Sequence, residues 1–183
     1  MLLYGEDITM SPDEILAIGI KELAKEQAAF DAAAKIINPN KKPIDVYNEM
    51  QKEHPTAANL IPDAKKHLED IRQFLIDKKI ITMPSEVRVK VEETLPYLRE
   101  TSTASMDTPG PFEEKATEAY YYITPVNMKW TPSQQEDWLM QFNYYGTDIV
   151  SIHEAYPGHY TQFLHLNASD ASKIQKIFGS YAF

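Results

Sequence analysis

Two histidines in "SIHEAYPGHYTQFLH", Ser151 to His165, are separated by a proline and a glycine, and that dipeptide constrains the fold around it. Pro157 has no N–H to give the carbonyl four residues earlier, that of His153, and its ring crowds that carbonyl. Gly158 permits backbone angles that other residues avoid. The helix entering at Ser151 therefore either bulges here or ends, with Pro157 at the first position of a second helix. On a straight helix, residues six apart lie about 120° apart around the axis and about 9 Å along it, so His153 and His159 would diverge. A break at this point can bring them back together.

The chemistry at stake is that of a metal hydrolase. His153-Glu154 opens like the H-E-x-x-H helix of zinc hydrolases, whose histidines sit four apart and grip one ion while the glutamate takes a proton from water. Here the second histidine comes two residues late. In that reading His153 and His159 are ligands, Glu154 is the general base, and Gln162, one turn after His159, touches substrate or supports the ligands. Histidines on half-buried helices are also commonly plain packing or surface residues. The residues alone leave both readings open.

Composition narrows the partners. The formal net charge is −9, which argues against nucleic acid or an anionic membrane surface as partner. An apolar share of 43% with 25% charged residues is that of a globular chain. There are no cysteines, so any metal must be held by histidine and carboxylate. No apolar run is long enough to span a membrane. The opening "MLLYGEDITM" lacks a basic region and a signal-like apolar core, and reads as entering the middle of a domain. The compartment is not fixed by these features.

Along the chain, Ser11-Pro12-Asp13-Glu14 predicts a capped helix running to about Ile37, where Asn38-Pro39-Asn40 ends it. A short helix follows Pro43 through Val46, Tyr47 and Met50, and another spans Asp63 to Lys79 with Leu68, Ile71, Leu75 and Ile76 at helical spacing. The alternation Val87, Val89, Val91 predicts a strand, and "EAYYYITP" (Glu118 to Pro125) a second, the two pairing as a small antiparallel sheet. Thr101 to Pro111 reads as a loop. Thr131-Pro132-Ser133-Gln134 opens another helix, with Trp138, Phe142, Tyr145, Ile149 and Ile152 on one apolar face and a possible break at Gly146-Thr147-Asp148. The expected fold class is mainly α with a small antiparallel β element. The expected organisation is a helical lobe over 1–80, followed by the β element and site helices over 81–183.

"HEAYPGHYTQ" resembles the signature of the bacterial "domain of unknown function 885" family, grouped with zinc metallopeptidases of the gluzincin type. "LLYGEDITMSPDEILAIGIKELAKEQAAF", "MPSEVRVKVEETLPYLRET" and "EAYYYITPVN" followed by "WTPSQQEDWLMQFNYYGTDIVSIHEAYPGH" resemble the family in the same order, across nearly the whole chain. The resemblance implies a zincin-like helical metallohydrolase fold, zinc held by His153 and His159, and Glu154 as acid or base. It also implies a peptide or small amide substrate, and export from the cytoplasm in many relatives. It places the third ligand, a glutamate in a Glu-Gly-Trp type segment, beyond "FGSYAF", so the 183 residues are expected to be a fragment with half of the site. Such a fragment would expose apolar surface and self-associate.

Within the chain the alternatives for a third ligand are weaker. His165 is six after His159 with no breaker between and is expected to pack or lie at the surface. Asp170 is expected to cap a following helix, Glu136 and Asp137 to sit in a first helical turn, and His54 and His67 to face solvent. Tyr121, among Tyr120 to Tyr122, is a candidate substrate contact if its strand borders the metal, through its hydroxyl or by β-addition; packing is the plainer role. Tyr156 and Tyr160 carry the same two readings, Trp130 and Trp138 are expected in the core, and the lysine pairs 41–42 and 65–66 are solvated charge. The function expected is zinc-dependent hydrolysis of a peptide or related amide. The alternatives are a non-catalytic helical interaction module and a metal hydrolase acting on esters or other small molecules.

Overall fold

The capping boxes of the sequence start two of the helices. In the computed structural model, which describes residues 8–178, Ser11 Oγ accepts from the Glu14 N–H and Glu14 accepts from the Ser11 N–H, opening α1 (Pro12–Ile37). Thr131 and Gln134 do the same for α4 (Pro132–Gln141). The chain forms two compact units, one through Met50 and one from Gln51. The first holds α1 and the short α2 (Pro43–Met50), which meet where Ala34 and Val46 are buried and Phe30 stands edge-on to Tyr47.

The second unit begins with α3 (Leu60–Asp77), three residues earlier than expected. Pro62 is tolerated there because N–H groups of a first helical turn have no partner in the helix. Its buried face is Leu60, Ala64, Leu68, Arg72 and Leu75, while Ile76 is exposed. Lys79, at φ 53°, turns the chain out of the helix, and the Ile80 N–H closes on the Leu75 carbonyl.

A three-stranded sheet follows, formed by β1 (Lys90–Glu93), β2 (Ala104–Asp107) and β3 (Tyr120–Ile123) in the order β1-β3-β2. β3 runs parallel to β1, with Val91 opposite Tyr121, and antiparallel to β2, with Met106 opposite Tyr121. The sheet is thus mixed, and the expected antiparallel pairing of the two predicted strands is corrected. The connection from Thr94 to Ala119 is long enough to return the chain to the same end, as a parallel pair requires. Part of the stretch read as a loop, Ala104–Asp107, supplies the antiparallel neighbour instead.

The second half also departs from the expected single apolar face. α4 ends at Phe142, and Asn143 caps α5 (Tyr144–Glu154) by accepting the Gly146 N–H at 2.9 Å. The break therefore falls at Phe142-Asn143, not at Gly146-Thr147-Asp148. It resets the helical phase, so α5 buries the small polar Thr147 and Ser151 and exposes Tyr145, Ile149 and Ile152. α6 (His159–Ala168) and α7 (Lys173–Ile177) complete the described chain. α7 is capped by Ser172 with Gln175, not by Asp170, because a serine hydroxyl directly before the first turn reaches its N–H groups. No described helix is long and apolar enough to cross a membrane.

The core joins α3, the sheet and the site helices: Leu60, Leu68 and Leu75 meet Val91, Tyr121 and Ile123, with Phe142, Ala155, Tyr156 and Tyr160 closing the other side. Tyr121 lies at its centre, with none of its surface exposed. Tyr120 and Tyr122 point to the other face of the sheet and stack on one another, 5.6 Å between ring centroids. Trp130 and Trp138 meet edge-to-face at 5.3 Å and are half-buried at the margin of the core.

Burial, reinforced by the Glu154 charge, pushes the Tyr121 hydroxyl up to about 12 against the donation from Ser151. An unfolded tyrosine ionises near pH ~10. The folded state holds its proton longer, so stability present below that pH is lost as pH rises toward 12. Chemical denaturation across that range should show a loss of about 1 kcal/mol per pH unit from this group, reduced in Tyr121→Phe.

Candidate functional site

α5 ends where the sequence says it must. The Ala155 and Tyr156 N–H groups both reach the Ser151 carbonyl, at 2.9 and 3.3 Å, and the helix goes no further. The Tyr156–Pro157 peptide is cis, and α6 starts at His159 with Gly158 as its cap. The join is two helices and a tight turn, and Pro157 lies before the cap instead of at the first helical position.

Gly158 is required by proximity. Its φ of −69° is open to any residue, but a Cβ at this position would stand 1.7 Å from the His153 carbonyl oxygen and 2.4 Å from that of Ile152. The chain folds back directly over the end of α5, and only a residue without a side chain fits. Thr161, fully buried, fastens the return by donating from its N–H and its hydroxyl to the Ala155 carbonyl, at 3.2 and 3.1 Å.

This turn brings the two histidines together. The rings of His153 and His159 have centroids 4.7 Å apart and stand nearly perpendicular, at 83°. Two imidazoles on one tetrahedral zinc have centroids about 5 Å apart, given Zn–N bonds near 2 Å. The pair thus fits two positions of a zinc site in spacing and in donor chemistry. His153 is exposed, and Glu154 and His159 are half-buried. Among the described residues no group of three His, Asp or Glu side chains is placed to hold a metal.

The surroundings hold this turn in place. Two tyrosines of the motif clamp the segment that leads into β1: the Tyr156 hydroxyl accepts the Val89 N–H at 3.2 Å, and the Tyr160 hydroxyl donates to the Val87 carbonyl at 3.0 Å. They are 1% and 3% exposed, edge-to-face with each other at 5.7 Å. Beneath α5, Ser151 donates to the Tyr121 hydroxyl at 3.4 Å, so Tyr121 is a buried support under the site helix. Since β3 is the central strand, an extended peptide has no edge to join there, and β-addition to the Tyr121 strand is ruled out by the topology. Gln162 is half-buried one turn into α6, its N–H on the Gly158 carbonyl at 3.0 Å.

The remaining candidates are drawn elsewhere. His165 points to the Thr82 carbonyl at 2.9 Å. His54 and His67 are not simply solvent-exposed, a correction to the sequence reading: long-range carboxylates hold each of them. His54 pairs with Glu136 at 3.1 Å, and His67 pairs with Asp148 at 2.8 Å and stacks on Tyr144. Glu136 lies beyond the first turn of α4, which contains no acid. Sequence reading missed the cleft between α3 and α5, about 530 Å³, lined by Ile71, Phe74, Leu75, Ile152 and Pro157 with His67, Asp70 and Asp148. The exposure of Ile152 and the contact of Pro157 with this cleft follow from the phase of α5, which periodicity alone does not reveal.

A mainly helical chain with a small mixed sheet, carrying a His-Glu and a second histidine converging across a Pro-Gly turn, defines the class. The sequence matches the family described as "Bacterial protein of unknown function (DUF885)" over residues 1–183, and the chain belongs to that family. Its fold is similar to a solved structure described as a candidate lipoprotein of unknown function from Shewanella oneidensis, with TM-score 0.75 and 21% identity. That match covers 98% of this chain and 33% of the other. A candidate lipoprotein from Colwellia psychrerythraea is similar at TM-score 0.68 and 15% identity, over 91% of this chain and 28% of the other. The chain thus spans about a third of the length of these structures. A comparison with curated proteins gave no significant match.

Gly158→Ala should destabilise the second unit by roughly 3 kcal/mol or more in thermal unfolding, since backbone carbonyls cannot step aside. Tyr160→Phe, which removes one hydrogen bond and little else, should cost about 1 kcal/mol.

Proposed function

We propose that this chain contributes two zinc ligands and the proton-transfer group of a zinc-dependent hydrolase acting on peptide or related amide bonds. The observation that carries the proposal is the 4.7 Å approach of the His153 and His159 rings with Glu154 adjacent in sequence. The third ligand is proposed to come from polypeptide outside the 183 residues, in keeping with the greater length of the similar structures.

Zinc held by His153 and His159 supplies Lewis acidity toward the scissile carbonyl and toward water. Glu154 accepts a proton from the attacking water as its oxygen bonds to the carbonyl carbon. It then delivers that proton to the amine nitrogen as the C–N bond breaks. Tyr121 and Ser151 hold α5 from below. Tyr156 and Tyr160 hold the turn from the side. The cleft beside Ile152 and Pro157 is suited to an apolar substrate side chain. An extended peptide finds a sheet edge at β2, which lies close to α5.

The test is made in the complete polypeptide that carries this chain. His153→Ala and His159→Ala should each lose bound zinc, read by elemental analysis. Glu154→Gln should keep zinc and lose peptide turnover by about a hundredfold or more. Undiminished turnover in Glu154→Gln would overturn its role. Zinc bound without peptide cleavage, but with ester cleavage, would move the substrate class. No zinc in the unaltered protein would favour a non-catalytic module.

A further inference from the structure

Helix α5, which ends in His153 and Glu154, is tied to α3 by polar side chains. The Tyr144 hydroxyl donates to Asp63 at 3.0 Å, and one turn further along both helices His67 pairs with Asp148 at 2.8 Å. The His67 and Tyr144 rings stack, with centroids 5.4 Å apart. Between the same two helices lies a small cavity of about 10 Å³, whose lining includes Leu60, Asp63, Ala64 and His67 of α3 and Tyr144 and Thr147 of α5. Every residue that lines it belongs to the second compact unit.

Thr147 is 6% exposed, and its hydroxyl is buried without a hydrogen-bond partner among the described residues. A helical threonine often turns its hydroxyl back to the carbonyl four residues earlier. Here the Asn143 carbonyl accepts the Thr147 N–H at 2.8 Å and not the hydroxyl. Leaving a buried hydroxyl unpaired is costly, and native structures nearly always supply a partner, from the protein or from ordered water. A cavity of this size has room for about one water, and no segment of polypeptide fits it. A water also needs two or more polar partners. Asp63 uses Oδ2 for Tyr144 and His67 uses Nδ1 for Asp148, so Asp63 Oδ1 and His67 Nε2 are the atoms that α3 can offer.

We propose that this cavity binds one buried water, held by the Thr147 hydroxyl on α5 and by Asp63 or His67 on α3. It forms a third polar link between α3 and the helix that carries His153 and Glu154. Without Thr147 the remaining walls from α5 and the apolar part of α3 would leave the water too few partners. The link concerns the seat of α5 and stands apart from the zinc reading.

The experiment is a high-resolution crystal structure of the complete polypeptide that carries this chain, with amide exchange of α5 measured beside it. An ordered water is expected about 2.8 Å from the Thr147 oxygen. Thr147→Val keeps the shape of the side chain and removes the hydroxyl. It should lose the water and speed exchange of the α5 amides about fivefold. Thr147→Ser, which keeps the hydroxyl, should keep the water. No ordered water beside Thr147 in the unaltered protein would overturn the proposal, and that result stands whether or not a variant folds. So would a Thr147→Val protein that retains the water, or one whose α5 amides exchange no faster, as removal of an unpaired hydroxyl predicts.

Discussion

The backbone of Gly158 lies on the carbonyl of His153, and the site depends on that contact. Pro157 stops the helix from continuing, but stopping a helix does not by itself bring two side chains together. The return of the chain over the end of α5 does so, and it is possible only because position 158 carries no Cβ. The spacing of six that places two histidines apart on a straight helix becomes, across this turn, a ring separation of 4.7 Å. The helix is interrupted between the two histidines, and the turn that replaces it closes the distance between their rings.

The rest of the second unit can be understood as support for that turn. Tyr156 and Tyr160, on either side of it, are fixed to Val89 and Val87 just ahead of β1. The sheet therefore holds the turn through two hydroxyls on backbone atoms. α5 is held closely from below because its buried face carries Thr147 and Ser151, with Ala155 just past its end, small residues that let the helix settle over Tyr121. Large apolar residues there would lift it. The cost is that Tyr145, Ile149 and Ile152 remain on the outside, Ile152 lining the cleft between α3 and α5.

Local rules were legible in the sequence where a side chain acts on its own backbone. Ser11 with Glu14 and Thr131 with Gln134 start helices as their patterns predict. The helix break between the histidines was equally legible, as was its capacity to bring them together. What was hidden depends on long-range partners. Ala104–Asp107 has no β-branched residue and joins the sheet only because Tyr120–Ile123 offers it an edge. The parallel direction of β1 and β3 lies in the path of the connection, not in either strand. The phase of α5 was misread because periodicity searches for large apolar residues, while the buried positions hold threonine and serine. His54 and His67 were misplaced for the same reason, since their carboxylate partners lie about eighty residues away.

The account turns on a single claim, that His153 and His159 share one metal. An anomalous-scattering map at the zinc absorption edge, from crystals of the zinc-loaded protein, tests it most directly. The account predicts a peak about 2 Å from one ring nitrogen of each histidine. A peak bound to one of them alone, or zinc held elsewhere with the two rings still packed edge to face, would contradict it and leave the Pro-Gly turn a structural device.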